Sequence, residues 1–136
     1  MPRLLALAAA TLALSGCALE SVAVSSEPGY PSEYDIENPF SGPPTAFWHD
    51  DRAQFDVVAI ASSSCDLIPT KLDLVDENTL SLTFVKPRGS CDASLSSTTY
   101  TFDTPNGLGD EVELEVTIGD EVTHTTITTA INTTIG

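Results

Sequence analysis

Hydrophobic and polar residues alternate over much of the chain beyond residue 46, with the period of two that is typical of a half-buried β-strand. The segment 111–118, EVELEVTI, alternates over its whole length, with Val, Leu, Val and Ile on one face. The segments 72–74 and 80–84 alternate in the same way, and the turn formers at 76–78 between them indicate a β-hairpin.

Further strands are indicated by composition rather than by strict alternation. Residues 55–61 form a mainly apolar run, residues 98–102 are β-branched and aromatic, and a strand over 122–127 follows a turn. About seven short strands, with no amphipathic helix, predict an all-β domain over residues 46–136. We expect a small antiparallel β-sandwich of immunoglobulin-like size, and a small barrel is the alternative.

The register of the last predicted hairpin is open. A two-residue loop at 119–120 places Glu115 opposite His124, whereas a three-residue loop places Val116 there. The three-residue loop gives the better match of apolar residues near the turn, and a shift of one residue turns every side chain to the other face.

The first residues of the chain have the pattern of a targeting segment. Residues 4–14 are a run of eleven residues, apolar except for Thr11, behind the basic Arg3. A membrane-spanning helix needs about 20 such residues, so the run is typical of the hydrophobic region of a signal peptide.

The segment 18–45 has no sustained period. It contains five prolines and five acidic residues, which predicts a disordered or extended linker. As a coil, a segment of this length reaches roughly 30 Å. The alternative is that Phe40, together with Tyr30 or Tyr34, docks onto the domain.

Residues 14–17, LSGC, resemble the lipobox of bacterial lipoprotein signal peptides. In that family the cysteine sulfur receives a diacylglyceryl group, and cleavage leaves this cysteine as the new N-terminus. The resemblance implies that residues 1–16 are a cleaved signal peptide and that the lipid on Cys17 anchors the protein to the membrane. Residues 17–45 would then be the lipidated linker. An ordinary secretory signal with a chance cysteine is the alternative.

The layout of the chain is also similar to that of small lipoproteins of high-GC Gram-positive bacteria. The shared features are LSGC, an acidic Pro/Ser linker, FWHDD, SSSC and a Thr-rich β domain. This likeness implies an extracytoplasmic location at the cell membrane and no defined reaction.

Two further cysteines remain once Cys17 is assigned to lipid. Cys65 and Cys91 are then an even pair in an oxidising compartment, so we predict a disulfide between them. No second pair of cysteines is present to complete a zinc site. A free, catalytic Cys65 is the alternative.

The charge of the chain excludes one class of partner. It has 20 acidic and 5 basic residues and a formal net charge of -15. This field repels a phosphate backbone, so no nucleic-acid partner is expected. No P-loop, GxGxxG or HExxH motif is present, and no cofactor is predicted.

Four polar residues are candidates for chemistry. His49, Asp50 and Asp51 could bind a divalent ion or transfer protons. Because they are consecutive, their side chains point in different directions, and a solvated turn is the favoured interpretation. His124, in a Thr-rich strand, is expected on the sheet surface. A small metal-dependent or hydrolytic enzyme using these four residues is the alternative function.

Aromatic residues offer another kind of site. Phe47, Trp48 and Tyr100 could stack against a sugar or a peptide, although we favour a place in the core. No catalytic residue is predicted. The favoured function is a membrane-anchored extracytoplasmic lipoprotein with a binding or structural β domain, whose partner is an envelope protein or a glycan.

Overall fold

The computed structural model describes residues 20–36, 38, 42–87 and 89–129. Within these ranges the chain forms strands and connecting segments but no helix, so no described segment could cross a membrane as an apolar helix. The strands are β1 (Ser25–Pro28), β2 (Thr45–Trp48), β3 (Gln54–Ser62), β4 (Ile68–Asp76), β5 (Thr79–Val85), β6 (Leu95–Asp103), β7 (Glu113–Ile118) and β8 (Glu121–Thr129). The predicted all-β class is confirmed.

All eight described strands belong to one sheet, in the order β1-β6-β3-β2-β8-β7-β5-β4. The expectation of a purely antiparallel arrangement is wrong, because β2 pairs with β8 and β5 pairs with β7 in parallel. Hydrogen bonds run continuously from one edge to the other, so the described strands form a single mixed sheet rather than two stacked ones. The antiparallel prediction is based on strands that follow one another in the sequence. The parallel pairs join strands that do not follow one another, so this prediction could not include them.

The sheet is strongly curled, and its two edges are linked. Immediately before β1, the amide of Val24 donates to the carbonyl of Thr101 on β6, at 2.8 Å. The amide of Val22 donates to the carbonyl of Pro69 on β4, at 2.9 Å. The chain leading into β1 therefore connects the first strand of the sheet to the last.

The inner face of the curled sheet holds the main hydrophobic core. Phe55 and Phe102 stack with ring centroids 5.4 Å apart, and Phe84 packs edge-on against Tyr100 at 5.1 Å. The remaining core residues come from β2, β3, β5, β7, β8 and the segments before β4 and β7: Ala46, Trp48, Val57, Ala59, Leu67, Leu80, Leu82, Val112, Leu114, Val116 and Ile127. Alternation places these side chains inside and their polar neighbours outside.

Part of the predicted linker, residues 17–45, is folded. The structure places β1 there, paired with β6, and buries Tyr34 against Phe47 with ring centroids 4.1 Å apart. The expectation of a disordered linker is therefore wrong for these residues. The alternative of tyrosine docking is confirmed, because Tyr30 also packs on this cluster. Phe40, Cys17 and the predicted signal peptide lie outside the described residues.

The last hairpin has the two-residue loop, with Glu115 opposite His124 and Ile118 opposite Glu121. The three-residue loop favoured by the apolar match is wrong. Gly119 has a φ of 60°, which suits the first central position of a type II′ turn and costs glycine little. Val122 consequently points to solvent and is 53% exposed.

Candidate functional site

A concave site opens at one end of the sheet, where two loops are joined by a disulfide. We call it the disulfide-end cleft, and its volume is about 780 Å³. Its walls come from the chain before β2, the end of β3, the β3–β4 and β5–β6 loops, and the β7–β8 hairpin. The lining residues are Gly42, Pro43, Pro44, Ile60, Ala61, Ser62, Cys65, Leu67, Lys86, Pro87, Gly89, Cys91, Leu95, Ile118, Glu121 and Thr123.

The predicted disulfide between Cys65 and Cys91 is confirmed, with the two Cα atoms 5.7 Å apart. Serines at the end of β3 add a second attachment between the same loops. The hydroxyl of Ser62 donates to the carbonyl of Asp92 at 2.7 Å, and the amide of Asp92 donates to the hydroxyl of Ser64 at 2.7 Å. The loop on this side of the cleft is therefore fixed by covalent and polar contacts together.

The walls of the disulfide-end cleft are mainly apolar and carry two charges. Ala61, Leu67 and Ile118 line it from three different elements, and Leu95 lies beside it with 46% exposure. Lys86 is its cation and Glu121, which is also exposed, its anion. Such a site can hold an apolar group and orient it by a charge.

A second site, which is polar, lies on the outer face of the sheet around Asp56. Phe47, Asp56 and Thr101 are direct partners across β2, β3 and β6, so their side chains share this face. Asp56 is only 5% exposed although it carries a carboxylate. A buried carboxylate needs hydrogen-bond donors to offset its desolvation, and three side chains supply them.

The donors to Asp56 come from three separate parts of the chain. The hydroxyl of Tyr34 donates to Oδ2, and the hydroxyl of Thr101 donates to Oδ1 at 2.6 Å. Nε2 of His49 lies 2.8 Å from Oδ1. Because an ionised carboxylate can only accept, Nε2 is the nitrogen that carries the proton.

Tyr34 joins this cluster to the segment after β1. Burial, followed by its hydrogen bond to Asp56, raises the pKa of the Tyr34 phenol well above its ordinary value of 10.0. The side chain therefore stays a hydrogen-bond donor. The cluster also borders a polar pocket of about 330 Å³ under this segment, which includes Tyr30 and Thr99. Its chemistry is suited to holding the segment on the sheet.

The predicted chemical candidates do not form one site. Asp50 and Asp51 are exposed in the β2–β3 turn, where the carboxylate of Asp51 accepts from the amide of Ala53 at 2.9 Å. The solvated-turn interpretation is therefore confirmed for these two. His49 turns instead to Asp56. Among the described residues, no group of three His, Cys, Asp or Glu side chains could hold a metal ion.

His124 is separate from His49. It is exposed on β8, as predicted, with its Nδ1 3.2 Å from a carboxylate oxygen of Glu113. Trp48, next to His49, is level with Thr129 on β8. Five residues of strand separate Thr129 from His124, or about 16 Å. The two histidines therefore do not converge in one cleft.

The predicted aromatic platform is buried. Trp48 and Tyr100 belong to the main core, whereas Phe47 belongs to the outer cluster with Tyr34. The guanidinium of Arg52 lies 4.2 Å from the centre of a Trp48 ring. Burial raises the pKa of Tyr100 to about 12, and its hydroxyl donates to the carbonyl of Leu67 at 2.7 Å. The preference for a core role is confirmed.

Sequence reasoning missed both the disulfide-end cleft and Asp56. The cleft is assembled from five segments, and no local pattern marks it. Asp56 had a visible signal, since it is the single charged residue within the run 55–61. A charge at a buried strand position indicates that partners lie elsewhere in the chain.

Comparison with family models, curated proteins and solved structures finds no match for this chain.

Proposed function

We propose that the protein is a non-enzymatic binding protein, anchored by lipid at Cys17 to the extracytoplasmic face of the cell membrane, whose ligand occupies the disulfide-end cleft. The cleft carries the binding part of the proposal. At about 780 Å³ it lies in the range of small-molecule sites, roughly 300–1,000 Å³. Its combination of apolar walls and a few charged groups is also typical of such sites.

The position of the cleft supports a binding function. It lies between loops carried by a packed sheet, and the Cys65–Cys91 disulfide restrains its rim. A site that is already formed loses less conformational entropy when it binds a ligand. The two histidines considered for catalysis, in contrast, lie in separate pairs, His49 with Asp56 and His124 with Glu113.

The membrane anchor is supported by the LSGC motif and by the disulfide. Structural disulfides persist in oxidising compartments outside the cytoplasm. Each buried methylene of an acyl chain contributes about 0.8 kcal/mol, and two chains hold a protein stably at a membrane. A glycan is a weaker candidate ligand, because the aromatic side chains that could stack against a sugar are buried.

Binding in the cleft can be tested by filling it. Ala61→Trp places a large ring among the cleft walls, and Val122→Trp is the matched control on an exposed position. With the chain from residue 17 onward carrying Cys17→Ser, amide shifts induced by dodecanol are expected around the cleft. They should vanish in Ala61→Trp and persist in Val122→Trp. Shifts located elsewhere, or none at all, contradict the proposal.

The anchor has its own test in cells. Cys17→Ser should move the protein from the membrane fraction to the soluble fraction, because it removes the acceptor of the lipid. The double variant Cys65→Ser/Cys91→Ser loses two thiols elsewhere and should stay in the membrane fraction. Membrane retention of Cys17→Ser refutes the lipid anchor without bearing on the cleft.

A further inference from the structure

We infer that the ligand of the disulfide-end cleft is an amphipathic anion, with an alkyl chain between the apolar walls and an acidic head at Lys86. This inference rests on the proposed function and specifies its ligand. It follows from three observations: the apolar surface of the cleft, the Lys86 ammonium group beside that surface, and the position of Glu121.

The apolar walls suit an alkyl chain. Ala61, Leu67 and Ile118 line the cleft from β3, the β3–β4 loop and β7. Leu95 is one of few large hydrophobic residues that remain substantially exposed. Covering such surface stabilises a complex by about 25 cal/mol for each Å² removed from water. The walls are aliphatic, so they fit a flexible chain rather than selecting a flat ring.

Lys86 is an available cation. The chain has two lysines, and Lys71 is paired with Asp73 at 3.4 Å. Lys86 has no ion-pair partner within the part of the chain that the structure describes, although the protein carries a formal charge of -15. A free ammonium group beside apolar walls is the complement of a carboxylate or phosphate attached to an alkyl chain.

Glu121 fixes where the acidic head lies. Among the described residues it is the one carboxylate that lines the cleft, and no ion pair within 4.0 Å joins it to Lys86. An acidic head is attracted to Lys86 and repelled by Glu121. A cationic amphiphile would have the opposite preference, so the head-group charge of the ligand distinguishes the two residues.

The decisive experiment compares probes that share one alkyl chain. Binding of dodecanoate, dodecyl phosphate, dodecanol and dodecyltrimethylammonium is measured by calorimetry below their micelle concentrations, on the chain from residue 17 with Cys17→Ser. Dodecanoate or dodecyl phosphate should bind about fivefold more tightly than dodecanol, which corresponds to one partly exposed ion pair. The better of the two anions identifies a fatty-acid head or a phosphate head. The cation should bind most weakly.

Single variants then assign the head group to its residue. Lys86→Gln should weaken binding of the preferred anion about fivefold and leave dodecanol unchanged. Glu121→Gln should strengthen binding of the anion. Lys71→Gln, a lysine outside the cleft, should change neither.

The outcomes separate this inference from the proposed function. If dodecanol binds in a manner that Ala61→Trp abolishes, but the anions bind no more tightly and Lys86→Gln has no effect, the amphipathic anion is refuted and the cleft remains a binding site. Tighter binding of the cation refutes it equally. If none of the four probes binds, the proposed binding function fails as well.

Discussion

Strand β3 is buried on both faces, and the two faces are covered by different parts of the chain. Its inner residues Phe55, Val57 and Ala59 pack among side chains from the other strands of the sheet. Its outer residues Asp56 and Val58 are covered by the segment that follows β1. The inner face is closed by hydrophobic packing, and the outer face by one aromatic stack and a hydrogen-bonded carboxylate.

This difference separates what makes the domain fold from what attaches its N-terminal segment. Apolar side chains on the inner face stabilise the sheet through contact with any apolar neighbour, because the hydrophobic effect has no direction. The Asp56 cluster is directional, since it requires Tyr34, His49 and Thr101 at fixed positions. We therefore expect mutations on the inner face to unfold the domain and mutations on the outer face to loosen one segment.

The largest effect is expected from the inner face. Phe102→Ala removes a fully buried ring that stacks on Phe55 and should lower the free energy of unfolding by about 3–5 kcal/mol. Phe47→Ala, on the outer face, should lower the free energy of unfolding by less, because the segment that follows β1 can move into the space left by the ring. Urea unfolding of both variants measures this, and equal losses would remove the distinction between the faces.

The next effect concerns the disulfide, which joins two loops at the cleft and belongs to neither face. Cys65→Ser/Cys91→Ser releases a closed loop with a sequence separation of 26 residues. On the chain-entropy estimate this costs about 3.5 kcal/mol. The midpoint of urea unfolding, compared with and without reductant for the unmodified chain, measures it. A loss under about 1 kcal/mol would mean that the serine hydrogen bonds hold the loops on their own.

A smaller effect is expected from the carboxylate on the outer face. Asp56→Asn keeps the shape but removes the charged acceptor of three donors, and it should cost about 1–3 kcal/mol. Asp103→Asn is the matched control, because Asp103 is exposed and accepts one bond from Gln54 at 3.0 Å. Limited proteolysis after β1 should increase in Asp56→Asn alone. Unchanged protection there would show that the cluster does not hold the segment.

The smallest expected effect is a loss of folding stability at alkaline pH, which involves one tyrosine on each face. Tyr34 on the outer face and Tyr100 on the inner face both have pKa values raised above their ordinary value of 10.0, chiefly by burial. A raised pKa favours the neutral phenol in the folded state, so its contribution to stability is complete below pH 10. The contribution of Tyr100 is lost as the pH rises from 10 through about 12.

Urea midpoints at successive pH values, with phenolate absorbance as the second signal, test this dependence. Tyr34→Phe should lower stability at neutral pH, since it leaves Asp56 short of a donor, and should flatten the alkaline decline. A decline that begins well below pH 10 would assign it to other groups.

The strands could be predicted where the sequence alternates. Thr79–Val85 is such a strand, because every second side chain enters the core. β1 could not be predicted, because all four residues of SSEP are exposed and the strand is held by backbone pairing with β6. The parallel pairs also escaped prediction, since they depend on how the whole sheet curls.

The candidate sites were less predictable than the strands. Cys65 and Cys91 could be paired from their number and compartment alone. Two of the three partners of Asp56 lie 22 residues before it and 45 residues after it, at Tyr34 and Thr101. Their meeting is a consequence of strand order. The disulfide-end cleft depends on strand order in the same way, so it became visible only in the folded chain.

The hydrogen bond from Val22 to Pro69 determines how freely the domain could move at a membrane. If Cys17 carries the lipid, five residues lead from the anchor to a backbone group that is part of the sheet. Five residues span at most about 17 Å when fully extended, so such an anchor would hold this point of the sheet within that distance of the lipid. Under the proposed lipid anchor, this part of the sheet would therefore lie next to the lipid surface.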